Sequence, residues 1–187
     1  FIESCKKISY LFPRAHAVAY VMMAFRIAWF KVYHPLAFYA AYFSIRAKAF
    51  DLRIMTGDLK TQMTEFNRIK ALDRAASPKD KDLMSALEVS MEMYQRGYRF
   101  INVDIQHSEA RRFSIKDGAL LPPFLAIDSL GETVADAIVA EREERPFTSL
   151  KDLQRRCKVS NTIIDLMKEL KCCGELPEDE QMSLFGA

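Results

Sequence analysis

The sequence predicts a mainly α-helical protein with one small β-hairpin and an extended C-terminal tail. Apolar residues recur at helical spacing through most of the 187 residues. Ser, Asp or Pro begins several of these stretches, and Gly97 follows one of them at a position where helices end. An alternating stretch flanks an Asp-Gly pair, which is a strong hairpin signal. A chain of this length can bury a substantial core in one or two small domains.

Charge is distributed unevenly along the chain. The net charge is only +2, from 27 basic and 25 acidic residues, but residues 1–50 hold seven basic residues and one acid. Residues 175–187 hold four acids and no base. A basic body suits a polyanionic partner, and an acidic tail suits a different partner.

The four cysteines predict no metal site. Cys172 and Cys173 are adjacent and would point about 100° apart on a helix, while Cys5, Cys157 and the three histidines lie far from them. We therefore expect reduced thiols in a cytosolic protein. The chain begins with Phe1 rather than Met, and we expect it to be a piece of a longer protein.

Two aromatic-rich helices are predicted near the N-terminus, over residues 15–33 and from Pro35 to about Arg46. Pro35 occupies a favoured first-turn position of the second helix. A membrane span is the main alternative for the first helix. Its uncharged run, residues 17–25, is far shorter than the ~20 residues that a bilayer requires. We therefore expect the two helices to bury each other, with no membrane contact.

Two amphipathic helices follow, over residues 58–72 and 79–95, with a break at Ala76-Ser-Pro78. Asp80 and Asp82 form the chain's Asp-x-Asp pattern. Residues two apart on a helix point about 200° apart, so these acids cannot clamp one metal ion together. We interpret them as acids of a first helical turn, where the helix dipole favours negative charge.

A small β-hairpin is predicted after Gly97. Residues 111–115 alternate between polar and apolar, Lys116-Asp-Gly118 supplies the turn, and Ala119-Leu-Leu121 returns as the second strand. Strand content is therefore minor.

Residues 124–139 contain a short apolar run, a tight turn that ends at Gly131, and a helix. Gly131 has no Cβ, so we expect a left-handed or closely packed backbone there. The new helix would present its first N–H groups at the turn, where they can bind a phosphate oxygen without reading a base. The segment resembles the helix-hairpin-helix motif. This resemblance implies DNA contact by Ser129, Gly131 and Thr133.

The charges of this turn leave a second interpretation open. Asp128 and Ser129 replace the motif's usual Pro and first Gly. Asp128, Glu132 and Asp136 place negative charge where a phosphate would come, which opposes the attraction of the helix dipole. The turn therefore either contacts phosphate or serves only as a scaffold.

A second, degenerate hairpin is predicted between helices that begin at Ser149 and Ser160. Its turn is basic and the following helix begins with polar residues, so its charge favours phosphate contact more than that of the first hairpin. A solvated basic face is the alternative. The predicted DNA-contacting residues are Arg155, Arg156, Lys158, Asn161 and Thr162.

The chain ends with an acidic leader and the pentapeptide Gln181-Met-Ser-Leu-Phe185. This pentapeptide resembles the sliding-clamp-binding motif of bacterial replication proteins. An amide at its first position can hydrogen-bond, and two adjacent apolar side chains can enter an apolar pocket. The predicted clamp-binding residues are Gln181, Met182, Ser183, Leu184 and Phe185.

The whole chain is similar to the C-terminal end of the PolC-type replicative DNA polymerases of low-GC Gram-positive bacteria. The resemblance implies that residues 1–95 end the helical fingers region, 96–174 form a duplex-DNA-binding domain with tandem hairpins, and 175–187 form the clamp-binding tail. The stretches that carry it are Tyr10-Leu-Phe-Pro-Arg-Ala-His16, Ala19-Tyr20, Phe30-Lys-Val-Tyr-His-Pro35, Arg96-Gly97, Leu120-Leu-Pro-Pro-Phe124, Ile138-Val-Ala-Glu-Arg142 and Gln181 to Phe185.

The resemblance implies a nucleotidyltransferase that extends DNA with metal ions, Mg²⁺ in the full-length polymerase, held by palm aspartates. No residue of this chain matches those aspartates, so we expect the chain alone to be inactive and without a cofactor of its own. Fingers lie over the incoming nucleotide in this family, which implies that Arg14 and His16 approach its phosphates; helix packing of His16 is the alternative. The implied partners are duplex primer–template DNA, the sliding clamp and the rest of the polymerase, at the bacterial nucleoid in the cytoplasm.

Two other function classes stay open at this point. One is a non-catalytic tandem-hairpin DNA-binding module of a repair protein, and the other is a helical adaptor that binds only proteins. Palm aspartates encoded upstream would favour the polymerase, and a nuclease or ligase motif there would favour the repair protein. A lack of salt-dependent DNA binding would favour the adaptor.

Overall fold

The computed structural model describes residues 2–7 and 14–179. The pentapeptide 181–185 and part of the stretch 10–16 lie outside the described residues. A mainly α fold with one small antiparallel hairpin is confirmed. The elements of the described chain are α1 (Ile2–Lys7), α2 (Arg14–Tyr33), α3 (Pro35–Ile45), α4 (Leu52–Met55), α5 (Leu59–Leu72), α6 (Pro78–Gln95), β1 (Ser114–Lys116), β2 (Ala119–Leu121), α7 (Glu132–Glu144), α8 (Leu150–Cys157) and α9 (Asn161–Glu169), with 3-10 turns at Asp73–Ala75 and Phe124–Ala126.

Two hydrophobic clusters form the core of the described chain. The first joins α3, α5 and α6 to the β-hairpin, with Tyr39 and Leu120 fully buried. The second surrounds Phe124 and joins α7, α8 and α9. Phe50 packs against both clusters. Phe100 and Leu120 lie past the predicted boundary at residue 95 yet belong to the first cluster, so the two predicted segments interlock; the boundary itself stays a prediction.

The expectation that the two N-terminal helices bury each other is wrong. Helix α3 enters the first cluster through Tyr39 and Phe43, whereas α2 buries none of its residues. The apolar side chains of α2 point to every side, so one neighbouring helix cannot cover them. By length and composition α2 is also sufficient to cross a membrane.

Local sequence signals set the helix ends as predicted. Asp58, Ser77 and Ser160 each accept a hydrogen bond from the backbone N–H three residues ahead. Ser77 and Asp80 form a reciprocal capping box, which confirms that Asp80 is an acid of the first turn of α6. Gly97 follows α6 with a φ of 85°, a conformation that glycine adopts without a steric penalty.

The predicted Asp-Gly turn is confirmed. Asp117 and Gly118 have φ values of 51° and 74°, as a type I′ turn requires. Strands β1 and β2 pair antiparallel, with Ser114 opposite Leu121. The first strand begins at Ser114 rather than at Arg111. The backbone N–H of Phe113 donates to Ser44 Oγ at 2.9 Å instead of to the ladder.

Candidate nucleic-acid interface

The first hairpin begins with the 3-10 turn Phe124–Ala126, and α7 begins at Glu132 after the turn of residues 127–131. Ile127 and Leu130 are buried and close the turn through a 3.2 Å hydrogen bond from the Leu130 N–H to the Ile127 carbonyl. The left-handed residue is Ser129, with a φ of 63°, whereas Gly131 has a φ of −77° and open space where a Cβ would lie. The predicted left-handed or closely packed Gly131 is therefore wrong. Ser129 adopts the left-handed conformation in this turn instead.

Gly131 is the N-cap residue of α7. Because it has no side chain, it leaves the first N–H groups of the helix without a side-chain cap. Ser129, Gly131 and Thr133 are all exposed. The first hairpin therefore presents backbone donors and two hydroxyl groups to solvent, which is a suitable arrangement for a phosphate.

Arg111 changes the charge balance at the start of α7. Its guanidinium lies 2.5 Å from Glu132 Oε2 and 2.5 Å from Asp136 Oδ2. The hydrogen bond from Arg111 is the main cause that holds the pKa of Asp136 below its usual value. Arg111 thus compensates two of the three acids expected to repel a phosphate, while Asp128 stays exposed without an ion pair in the described chain.

The second hairpin joins α8 to α9 through three residues. Lys158 ends α8 in the left-handed conformation, with φ 54° and ψ 37°. Val159 is buried in the second cluster, and Ser160 caps α9 by accepting a hydrogen bond from the Ile163 N–H. Because Val159 fixes the turn to the core, the flanking Lys158 lies exposed at the tip of the hairpin.

Four predicted DNA-contacting residues lie on the exposed part of this hairpin. The Arg155 side chain is 69% exposed and pairs with Asp152 at 2.9 Å. Asn161 and Thr162 occupy the exposed first turn of α9. We call this set the basic edge, which consists of Arg155, Lys158, Asn161 and Thr162.

Arg156 does not belong to the basic edge, which corrects its predicted role. Its side chain is only 10% exposed and connects α8 to α7. The guanidinium donates to the Glu141 carboxylate at 2.9 Å and to the backbone carbonyls of Glu141 and Arg145. It also lies 4.7 Å from the centre of the Phe147 ring. These contacts hold the guanidinium of Arg156 against the protein. Arg155 faces solvent instead, because adjacent positions on a helix point about 100° apart.

Asp152 connects the arginines of this region. It is 2% exposed and receives hydrogen bonds from Arg155, from Arg156 and from the Thr148 N–H. Burial by itself raises the pKa of the Asp152 carboxyl, but these donors outweigh burial and lower the pKa below its usual value. The carboxylate is therefore ionised at neutral pH, and its charge is compensated by the arginines around it.

The acidic leader is docked against the second hairpin. The N–H groups of Leu150 and Lys151, at the start of α8, donate to the carbonyls of Pro177 and Glu178 at 2.9 and 3.2 Å. Lys151 pairs with Asp179 at 2.5 Å, and Lys168 of α9 pairs with Glu178 at 2.7 Å. The acidic leader predicted before the pentapeptide is thus held against α8 and α9 up to residue 179.

The two residues predicted to approach the incoming nucleotide lie at the start of α2. Arg14 and His16 lie in the first turn of α2, where both are exposed and the His16 ring contacts Tyr20 with 4.4 Å between ring centres.

Within residues 2–7 and 14–179, no group of three or more His, Cys, Asp or Glu side chains is arranged to hold a metal ion. Cys157, Cys172 and Cys173 are free and buried, and burial raises the pKa of the Cys172 thiol to about 12.

Comparisons with known proteins identify the hairpin region and then the whole chain. The model of the helix-hairpin-helix motif family matches residues 97–181, which include both hairpins and the leader. A DNA polymerase III PolC-type from Caldanaerobacter subterraneus is 49% identical over 185 residues, which cover 99% of this chain. Proteins of the same name from Streptococcus suis and Streptococcus pyogenes are 50% and 47% identical over 188 residues, again 99% of this chain.

The chain belongs to the PolC-type DNA polymerase III family. It spans 13% of the length of these curated relatives, so it is a segment of such a polymerase. The similarity extends over the N-terminal helices as well as the hairpins. This extent removes the support for a separate repair-protein module, because such a module would share only the hairpins.

Sequence reasoning missed three side chains that shape the interface. The alternating pattern of residues 111–115 places Arg111 in a strand, whereas its side chain pairs with Glu132 and Asp136 of α7. Lys151 and Lys168 form ion pairs with the acidic leader. The weak sequence signal for these pairs is the presence of acidic residues close in sequence to helices that carry lysines. Partners that lie 10 to 28 residues apart along the chain leave no periodic pattern in the sequence.

Proposed function

We propose that this chain is the segment of a replicative DNA polymerase that holds duplex primer–template DNA and attaches the enzyme to the sliding clamp. The observation that carries the proposal is the basic edge of the second hairpin, where Arg155 and Lys158 flank the exposed start of α9. A cation beside a helix N-terminus is a suitable site for a phosphate oxygen. The nearest buried acid, Asp152, is already compensated by arginines.

The same geometry explains why binding should be independent of sequence. Lys158 is a point charge at the tip of a turn, and Asn161 and Thr162 offer short polar groups beside the N–H groups of α9. Such groups reach phosphate and sugar oxygens but not base edges deep in a groove. The hairpin would therefore follow the DNA backbone while the polymerase moves along any sequence.

The first hairpin contributes a second, weaker contact in this proposal. Ser129 and Thr133 supply hydroxyl groups beside the uncapped start of α7, and Arg111 compensates two nearby acids. Asp128 remains exposed in front of the turn and opposes a phosphate there. Replacing Asp128 with asparagine should therefore leave DNA affinity unchanged or increase it.

Salt-dependent binding tests the DNA contact. The chain should bind labelled duplexes of unrelated sequence equally, with an affinity that falls steeply as salt rises, since each neutralised phosphate adds about 0.9 to the slope of log K against log salt. Lys158→Glu should weaken binding and reduce this slope. The control is Lys70→Glu, the same charge change at an exposed position of α5. Equal losses for both variants would show that the basic edge is not the contact.

Clamp attachment would be the role of the tail. Residues Gln181, Met182, Ser183, Leu184 and Phe185 form the proposed binding segment, which follows closely on the docked leader. A short segment that must become ordered on binding gives only about micromolar affinity. When the clamp encircles DNA already bound by the hairpins, the second contact is intramolecular, and affinity can rise ~10²–10⁴-fold.

Titration with purified clamp tests this attachment. Replacing both Leu184 and Phe185 with alanine should abolish clamp binding, because the two apolar anchors are lost. DNA affinity without clamp should not change. Equal clamp binding by the variant and the wild type would remove the assignment.

Template-directed synthesis itself would need the rest of the polymerase. Within this proposal residues 1–95 belong to the fingers, 96–174 bind duplex DNA and 175–187 form the clamp tail. Arg14 and His16 would approach the phosphates of the incoming nucleotide, and aspartates outside this chain would hold Mg²⁺. The chain alone should therefore add no nucleotide to a primer, in a protein that works at the nucleoid in the cytoplasm.

A further inference from the structure

Helix α2 is apolar around its whole circumference and is unburied in this segment. None of its 20 residues is buried, and Phe25 in the middle of the helix is 72% exposed. The other large exposed apolar side chains are spread over all sides of the helix. They are Val18, Tyr20, Val21, Met22, Met23, Ile27, Trp29, Phe30, Val32 and Tyr33.

This distribution specifies the kind of partner. A helix that lies in a groove has one apolar face and one polar face, whereas a helix that is apolar all round is enclosed on every side. Each large apolar side chain that is removed from water stabilises the enclosed state. A helix with this many exposed apolar side chains therefore favours a partner that surrounds it.

A lipid bilayer fits α2 poorly despite its sufficient length. Arg26 lies near the centre of the helix, where a charged side chain inside a bilayer is strongly unfavourable. The C-terminal end is also attached to α6, because Lys31 pairs with Glu92 at 2.6 Å. In addition, Arg96 donates to the Lys31 carbonyl at 2.9 Å, so a spanning helix would bring these exposed polar groups close to the membrane.

The length of the PolC-type relatives indicates what could surround α2. This segment spans 13% of its PolC-type relatives, so most of such a polymerase lies outside it. We propose that α2 is an internal helix of the polymerase core and is enclosed by the part of the polymerase chain outside this segment. A second copy of the segment is less suitable, because packing two such helices side by side would leave the far side of each in water. This proposal rests on the family assignment and not on DNA or clamp binding.

Thiol labelling of the full-length polymerase tests this enclosure. Residues Val21, Met22, Met23 and Ala24 sample the circumference of α2, because consecutive residues point 100° apart. A cysteine at each position in turn should react with a maleimide at least about tenfold more slowly in the native polymerase than after unfolding in guanidinium. Mass spectrometry of the α2 peptide separates this reaction from that of other cysteines. Met63→Cys on α5, where the native side chain is 46% exposed, provides a reference for a site outside the core clusters.

The outcomes separate the possible occupants. If any α2 position reacts as fast in the native polymerase as after unfolding, α2 is not enclosed and the proposal fails. Protection that appears only with phospholipid vesicles would assign α2 to a membrane and also overturn it. Protection that disappears when a dimeric polymerase is diluted to monomers would assign α2 to a second copy. Protection of all four positions in a monomeric polymerase without lipid supports enclosure. The same protection is expected in the Lys158→Glu variant, because enclosure of α2 does not depend on DNA binding.

Discussion

Replacing Arg156 with alanine should unfold the second hairpin region more easily, while the same change at Arg155 should mainly weaken DNA binding. The two arginines are adjacent on α8 and carry the same charge, but their side chains are 10% and 69% exposed. Arg156 holds Glu141, Asp152 and two backbone carbonyls in one place. The Arg155 guanidinium donates to Asp152 at 2.9 Å, and most of its side chain lies in solvent at the basic edge.

The magnitude follows from the contacts that each truncation removes. Removal of one partner from a buried ion pair costs about 3–5 kcal/mol, because the remaining charge is left uncompensated. Glu141 is partly exposed and Asp152 keeps Arg155 and the Thr148 N–H, so water and the remaining donors recover part of this loss. We expect Arg156→Ala to lower the free energy of unfolding by about 2–3 kcal/mol. For Arg155→Ala the expected loss is below about 1 kcal/mol, since the Arg155 side chain is 69% exposed. The buried Asp152 carboxylate would keep its other donors, Arg145, Arg156 and the Thr148 N–H.

Urea unfolding followed by circular dichroism measures these losses, and fluorescence anisotropy with labelled duplex DNA measures binding by the folded variants. Arg156→Ala should bind DNA like the wild type wherever it remains folded, whereas Arg155→Ala should bind more weakly with a smaller salt slope. Arg156→Lys distinguishes charge from geometry, because lysine cannot donate to several acceptors in one plane. The reverse pattern, with a stable Arg156→Ala that has lost DNA affinity, would refute the structural role of Arg156.

Three further predictions concern the hairpins and the leader. Ser129→Gly should raise the free energy of unfolding by up to about 1 kcal/mol, because glycine adopts the left-handed conformation without the steric cost that serine has. Gly131→Ala should change the free energy of unfolding by less than about 1 kcal/mol. Denaturant unfolding in which Ser129→Gly is destabilising would contradict the turn geometry. Because the pKa of Asp152 is lowered on folding, its stabilising contribution is complete above its unfolded pKa of about 3.9 and is lost as the pH falls through the folded pKa. Asp152→Asn should therefore be less stable than the wild type at pH 7, with a difference that shrinks in melts below about pH 4. Alanine at both Lys151 and Lys168 should speed hydrogen exchange of the two α8 amides that bind the leader, and unchanged exchange would show that the ion pairs do not hold it.

Features that depend only on residues close together in the chain can be predicted from the sequence. The helix starts at Asp58 and Ser77, the stop at Gly97 and the turn at Asp117-Gly118 follow from bonds and dihedral angles within a few residues. The helix-hairpin-helix resemblance and the family were also evident from ordered motifs. These signals are local or collinear, so they survive without knowledge of the fold.

Tertiary packing sets which side chains face solvent and which residue takes the left-handed backbone conformation. Arg155 and Arg156 look alike in the sequence, and the contact of Arg156 with Glu141, 15 residues away, removes it from the DNA-binding set. Ser129 rather than Gly131 takes the left-handed conformation, because burial of Ile127 and Leu130 fixes the path of the turn. The exposure of α2 and the docking of the leader were likewise invisible in the sequence. Each depends on distant parts of the chain, whose positions are set by packing rather than by local propensity.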